Sequence, residues 1–187
     1  ASRWHTLHDT METAEHDSRL LATILARAGG RYRSTGVISS RFAAGKLRGD
    51  PIYRELLRPG VLPSGPLLVD VGCGQGLALA ALAECRAAAR GGPVFERMLG
   101  IELRPRIASI ARAALASDAE ILTGVAVELV PPRVASAVVL LDVLHLMPRA
   151  AQEQVIARAA GALAPGGVLV LREADASAGL RFKALRA

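Results

Sequence analysis

Residues 67–76 read LLVDVGCGQG and hold the side chains and spacing best suited to binding a ligand. An apolar run ends in Asp70, and three glycines follow at alternate positions, Gly72, Gly74 and Gly76. This pattern is typical of a buried parallel strand that turns sharply into a helix. Glycine lets the backbone bend and approach a ligand closely, while N–H groups at the helix start point into the same space. We therefore predict a site for a small anionic or zwitterionic ligand, with Asp70 accepting hydrogen bonds from a cationic group.

A glycine-rich turn serves several nucleoside cofactors, dinucleotides included. Three features narrow the choice: an acid two residues before the first glycine, G-x-G-x-G spacing instead of G-x-G-x-x-G, and a second predicted strand ending in Glu102. With these residues the chain resembles the class I S-adenosylmethionine-dependent methyltransferases. The resemblance continues through ASAVVLLDVLHLM (135–147) and ALAPGGVLVLRE (162–173). It therefore covers residues 67–173 in four ordered blocks.

The resemblance implies S-adenosylmethionine as cofactor and S-adenosylhomocysteine as product. It implies that the glycine turn holds the methionine part and that Glu102 holds the ribose, because a carboxylate can bind two vicinal hydroxyls. Leu103 is expected on the adenine face. Val125 stands where the family often has an acid, so apolar contact and backbone groups would hold the base. The expected cofactor-binding residues are Asp70, Gly72, Cys73, Gly74, Gly76, Glu102, Leu103, Val125 and Asp142.

The fourth predicted strand ends in LLDVLHLM, at the sheet edge where such folds bind ligands. Asp142 could contact the cofactor or the acceptor. His145 is the candidate catalytic residue, because an imidazole titrates near neutral pH and could take a proton from a hydroxyl. Capping or packing the turn before Pro148 is the alternative role for His145.

The alternation of strands and helices predicts an α/β fold, a doubly wound and mainly parallel Rossmann-like sheet. Residues 1–66 are expected to form an N-terminal helical cap or lid, and residues 67–187 the cofactor-binding domain. In the resembled family such helices often cover cofactor and substrate; a purely structural cap is the alternative. Family members usually continue beyond strand five, so we expect a further C-terminal segment or a partner chain to cover that edge. Predicted helices span 9–28, 39–47, 50–57, 77–90, 105–116 and 148–163, and strands two to five span 98–102, 120–123, 135–141 and 168–171.

Composition limits the classes of protein and partner. The 187 residues are 51% hydrophobic with two cysteines and no metal-ligand spacing, which favours a reduced, cytoplasmic setting. The longest apolar stretch is too short to cross a bilayer. The formal charge of +6 is concentrated in residues 31–58, which would attract an anionic partner unless it is only a solvated face. The basic residues there are Arg31, Arg33, Arg41, Lys46, Arg48, Arg54 and Arg58, against Asp50 and Glu55.

These observations favour methyl transfer to a small or carrier-bound molecule, at oxygen. FAAGKLRGDPIYRELL, GIELRPR and LLDVLH are similar, more weakly, to stand-alone methyltransferases of bacterial aryl polyene and polyketide-type pathways. An RNA methyltransferase is the first alternative, although the N-P-P-[YF] motif of amino-group methylation is absent. A nicotinamide-dependent oxidoreductase is disfavoured by the glycine spacing. A cofactor-binding module without turnover is the remaining possibility.

Overall fold

The computed structural model describes residues 2–88 and 92–173, with side chains from residue 15 onward. The strands are β1 Gly65–Val71, β2 Phe95–Glu102, β3 Glu120–Thr123, β4 Ala135–Leu141 and β5 Leu163–Arg172. These five parallel strands form one sheet in the order β3-β2-β1-β4-β5. The predicted doubly wound, Rossmann-like fold is thereby confirmed. The helices are α1 Ser2–Gly30, α2 Val37–Gly49, α3 Ile52–Leu56, α4 Leu77–Ala87, α5 Pro105–Leu115, α6 Ala126–Leu129 and α7 Arg149–Ala162, with 3-10 helices at Arg31–Thr35 and Leu144–Leu146.

The central strands β1 and β4 are buried on both sheet faces, as their continuous apolar sequences predict. One apolar core lies where α4 and α5 pack on the sheet, and a second lies on the opposite face beneath α7. Because the strands are parallel and covered on both faces, their carboxyl ends open together at one edge. Asp70, Glu102 and Asp142 all lie at that edge.

The N-terminal helices share the core of the α4 face. Tyr32, Leu47 and Leu57 are fully buried in the same apolar cluster as Ala80 and Leu82 of α4. The N-terminal segment therefore packs directly against the helix that follows the glycine turn. Among the helices of the described residues, none is long and apolar enough to cross a membrane.

Several element boundaries differ from prediction. Helix α1 is longer than 9–28, and β2 begins at Phe95 instead of 98. Strand five was expected after the Pro165-Gly166-Gly167 turn, but β5 begins at Leu163, because a register shift opposite 135–137 takes up these residues within the strand. The short α6 and the 3-10 helices were not predicted. Residues 89 and 90, the end of the fourth predicted helix, lie outside the described residues, as do residue 91 and everything after 173.

Candidate functional site

The three glycines of the turn have positive φ angles, +71° at Gly72, +57° at Gly74 and +78° at Gly76. A Cβ at Gly72 would lie 2.2 Å from Val143, and one at Gly76 would lie 2.7 Å from Leu115. A Cβ at Gly74 would meet nothing within 4 Å. Two glycines are therefore required by both packing and backbone conformation, while Gly74 turns an open side toward a space that a ligand can enter.

Backbone hydrogen bonds tie the turn to the end of β2. The N–H groups of Gly72 and Cys73 both donate to the carbonyl oxygen of Ile101, at 2.8 and 3.0 Å. The next N–H, that of Gly74, donates to Oε2 of Glu102 at 3.0 Å. The turn and the predicted ribose-binding acid therefore form one hydrogen-bonded unit.

Both carboxylate oxygens of Glu102 accept hydrogen bonds. While Oε2 accepts from Gly74, Oε1 accepts from the backbone N–H of Arg104 at 2.9 Å and from its Nε at 2.8 Å. Glu102 is buried, whereas the Arg104 side chain is 60% exposed. The carboxylate is thus fixed beside the open face of Gly74. Sequence reasoning missed Arg104, because an arginine at the start of a helix carries no signal of this contact.

Asp70 is the next-to-last residue of β1, pairs with Gly100 of β2 and is only 3% exposed. Burial, and next the negative charge of Glu102, raise the pKa of Asp70 to about 7. An acid in this position is poorly solvated when ionised. A ligand ammonium group would stabilise its charged form, which fits the predicted contact with the methionine part of the cofactor.

Cys73 contributes differently from the other residues of the turn. Its thiol packs into the core, close enough to β2 that a Cβ at Gly100 would lie 2.8 Å from the sulfur. Burial raises the pKa of this thiol well above its ordinary value, so it stays protonated. The prediction that Cys73 contacts the cofactor therefore concerns its backbone and not its sulfur.

Leu103 and Val125 bring exposed apolar surface to the same edge. They are 64% and 45% exposed. The ends of β2 and β3 are paired, and the N–H of Gly124 donates to the Glu102 carbonyl oxygen at 3.1 Å. Both side chains therefore follow paired strands beside Glu102, where adenine contact is predicted.

Asp142 lies in an ion-pair network that joins the N-terminal segment to the sheet. It has a positive φ of 54°, and its carboxylate binds the guanidinium of Arg172. Arg172 also binds Asp50 through its Nη2, at 2.9 Å, and Lys46 lies 2.8 Å from Asp50 and 3.6 Å from Asp142. Although burial opposes it, these cations hold the pKa of Asp50 below its ordinary value. Asp142, predicted to contact cofactor or acceptor, is thus already oriented by Arg172.

His145 belongs to the 3-10 helix after β4, and Glu173 holds that helix. One oxygen of Glu173 accepts from the backbone N–H groups of Val143 and Leu144, at 2.9 and 2.6 Å. The other lies 2.8 Å from Nδ1 of His145, whose side chain is 8% exposed. Glu173 therefore fixes both the turn and the imidazole. The sequence alone did not indicate that His145 and Glu173, 28 positions apart, would be in contact.

Tyr32 connects the N-terminal segment to the glycine turn. Its hydroxyl donates to the carbonyl oxygen of Gln75 at 2.8 Å, and the side chain is fully buried. Burial raises the pKa of this hydroxyl, so it remains a hydrogen-bond donor. The support of the turn therefore comes partly from a residue more than forty positions earlier.

The basic segment 31–58 divides into paired and unpaired cations. Arg31 binds Glu84 and Asp118, Lys46 binds Asp50, and Arg58 binds Glu55. Arg33, Arg41, Arg48 and Arg54 form no ion pair with the described residues. About half of the predicted positive surface therefore remains open to a partner.

Three solved structures share the fold. A chain of the complex between the Haloferax volcanii Trm112 methyltransferase activator and a methyltransferase is 22% identical, with a TM-score of 0.55 over 70% of this chain and 55% of that one. The DhpI–S-adenosylhomocysteine complex is 18% identical, with a TM-score of 0.55 over 81% and 68%. Streptomyces venezuelae DesVI is 25% identical, with a TM-score of 0.53 over 68% and 52%. The protein thus spans about half the length of two of these chains.

Two sequence comparisons bear on the family. In the first, no protein of curated function matches this chain significantly. Residues 68–167, more than half of the chain, match the family described as methyltransferase domain. The match includes the glycine turn, Glu102, Asp142 and His145. The chain therefore belongs to the methyltransferase domain family and has the class I S-adenosylmethionine-dependent methyltransferase fold.

Proposed function

We propose that the protein transfers the methyl group of S-adenosylmethionine to a hydroxyl oxygen of a small or carrier-bound molecule. The observation that carries this proposal is the Glu102 carboxylate fixed 3.0 Å from the Gly74 N–H, beside the open side of Gly74. A carboxylate so placed suits two vicinal ribose hydroxyls, and the missing Cβ admits a ligand close to the backbone. The bound cofactor supplies an electrophilic methyl group.

The charge at the base of the site fits the amino-acid end of the cofactor. Asp70 is buried and shares its surroundings with the second acid, Glu102. A cofactor ammonium would offset the electrostatic cost of ionising Asp70 there. At the other side of Glu102, Leu103 and Val125 offer apolar surface for an adenine ring. The two ends of the proposed site thus match the two ends of the cofactor.

The proposed acceptor chemistry rests on His145 and Glu173. If Nδ1–H of His145 donates to Glu173, the imidazole is in the tautomer whose Nε2 accepts a proton. The carboxylate would also stabilise the imidazolium formed after proton transfer. His145 would then take the hydroxyl proton of the acceptor, which would leave the acceptor oxygen nucleophilic enough to accept the methyl group that a bound cofactor would supply.

A methyl-transfer screen with a labelled donor tests this proposal. Hydroxyl-bearing small molecules, alone and attached to a carrier, serve as acceptors. We expect His145→Ala to lower transfer by about a hundredfold, the usual scale for a general base, while S-adenosylhomocysteine still binds. His16→Ala, at an exposed position of α1, is the matched control. Undiminished transfer by His145→Ala would assign the imidazole to packing, and binding without transfer to any acceptor would favour a non-catalytic module.

RNA methylation is a second candidate because four arginines of the basic segment form no ion pair within the described part of the chain. Phosphate binding through these residues would make RNA affinity fall steeply with salt concentration. Filter binding of structured and single-stranded RNA at low and physiological salt separates the two candidates. We expect no RNA retention at physiological salt. Salt-sensitive retention that is lost in Arg41→Ala and Arg48→Ala would favour RNA as the acceptor.

A further inference from the structure

A groove lies between α1 and α2, on the outer side of the N-terminal segment. It encloses about 290 Å³ and is lined by Ala22, Leu25, Ala26, Gly29 and Ala44, together with Arg48 and Arg54; we call it the α1–α2 groove. The lining residues of α1 are spaced i, i+3, i+4 and i+7, so they form one face of the helix. Leu25 and Gly29 are buried, whereas Ala22, Ala26 and Ala44 are exposed. The groove therefore has an apolar floor with small side chains at its edges.

The two helices approach closely at one end of this groove. A Cβ at Gly29 would lie 3.3 Å from the Cα of Ala44. From Ala22 to Gly29 the groove follows about two turns of α1, or roughly 10 Å. This length suits two apolar side chains from successive turns of another helix, and the small edge residues let that helix come near.

The charge around the groove has one sign. Arg48 and Arg54 line it, and Arg41 is exposed seven residues before Arg48 on the same side of α2. None of the three forms an ion pair with the described residues, and no acidic residue lines the groove. Arg41 and Arg48 lie about 10 Å apart along the helix, a spacing that suits two anionic groups two turns apart on a partner.

From these observations we infer that the α1–α2 groove binds an acidic amphipathic helix of a partner protein. Apolar side chains on one face of that helix would enter the groove, and carboxylates flanking them would reach Arg41, Arg48 and Arg54. Burial of the apolar face would provide affinity, while charge complementarity would set orientation and association rate. The inference is independent of the proposed methyl transfer to a hydroxyl, because it uses none of the residues proposed to bind the cofactor and neither His145 nor Glu173.

Fluorescence anisotropy of a labelled synthetic helix tests the inference on the full chain. The probe is an amphipathic peptide about five turns long, with leucines on one face and glutamates flanking them. Matched peptides carry lysine in place of glutamate, or serine in place of leucine. We expect the acidic apolar peptide to bind at least tenfold more tightly than either. Equal binding of the serine peptide, or no saturable binding of the acidic peptide, would overturn the inference.

Protein variants locate the binding. Arg48→Glu combined with Arg54→Glu should lower the affinity for the acidic peptide at least tenfold. Ala26→Trp should lower it by a similar factor, because the indole would fill the groove. Arg58→Glu is the control, because Arg58 is exposed and paired with Glu55 outside the groove. S-adenosylhomocysteine affinity should stay the same in all of these variants and reports that they are folded. Unchanged peptide affinity in both groove variants would contradict the inference. It would also be contradicted if anionic lipid vesicles or RNA displaced the acidic peptide completely and the peptide bound equally well without its leucines.

Discussion

Gly72 and Gly74 have similar backbone conformations but different surroundings, which separates packing from ligand contact. We expect Gly72→Ala to lower the free energy of unfolding strongly, because its Cβ would clash with Val143. Gly74→Ala has room for its Cβ and should cost only about 1–2 kcal/mol for its left-handed conformation. Its main effect should be on S-adenosylhomocysteine affinity. Chemical denaturation measures the free energy of unfolding, and calorimetry measures the affinity for S-adenosylhomocysteine. Unchanged affinity in Gly74→Ala would mean that the ligand does not bind on this side of the turn.

Asp70 should make both stability and cofactor affinity depend on pH. Its ordinary pKa of 3.8 is raised to about 7 in the folded protein, so between these values the folded state retains a proton that the unfolded state has lost. The free energy of unfolding without ligand therefore falls as pH rises through this window. Because the cofactor ammonium favours the ionised carboxylate, affinity for S-adenosylhomocysteine should rise about tenfold from about pH 6 to about pH 8. Asp70→Asn should abolish both trends, and a pH-independent wild-type affinity would contradict the assignment.

Residue types and spacing predicted the glycine turn and the acids at the strand ends, since each carries a strong local signal. They did not predict that the Cys73 thiol points into the core or that Arg104 caps Glu102. Both depend on which neighbouring strand the side chain faces, and that is decided by packing and not by local sequence.

At the scale of elements, the 3-10 helix Arg31–Thr35 supports the glycine turn through Tyr32. Removing its hydroxyl leaves the half-buried Gln75 carbonyl without this donor. We expect Tyr32→Phe to lower the free energy of unfolding by about 1–2 kcal/mol. We also expect it to lower the affinity for S-adenosylhomocysteine measurably. Denaturant unfolding and calorimetry provide the two readouts. Wild-type values in both would mean that the N-terminal segment does not support the turn.

Helices and strands with strong periodicity, such as α5 and β4, were predicted close to their observed bounds. The boundary of β5 was missed because Pro165, Gly166 and Gly167 suggested a turn, whereas pairing with β4 accommodates them in a bulge. The four-residue α6 is too short for a periodic signal. The role of the N-terminal helices as a lid over the acceptor stays a prediction.

At the scale of the whole molecule, long-range ion pairs connect what the sequence divides into 1–66 and 67–187. Arg31 binds Glu84 and Asp118, and Arg172 binds both Asp142 and Asp50, which lies 122 positions before it. The family resemblance predicted the sheet and the cofactor, but such pairs follow only from the packed topology. They also show that part of the basic segment stabilises the fold, which leaves Arg33, Arg41, Arg48 and Arg54 without an ion pair to the described residues and able to meet a partner.

Calorimetry of S-adenosylhomocysteine with wild type and Glu102→Ala tests most directly whether the carboxylate beside the glycine turn holds the cofactor. Glu120→Ala is the matched control, since Glu120 is exposed at the start of β3 and paired with Arg97. We predict that Glu102→Ala weakens binding at least tenfold, about 1.4 kcal/mol, and that Glu120→Ala does not. Equal affinity of wild type and a folded Glu102→Ala protein would contradict the account.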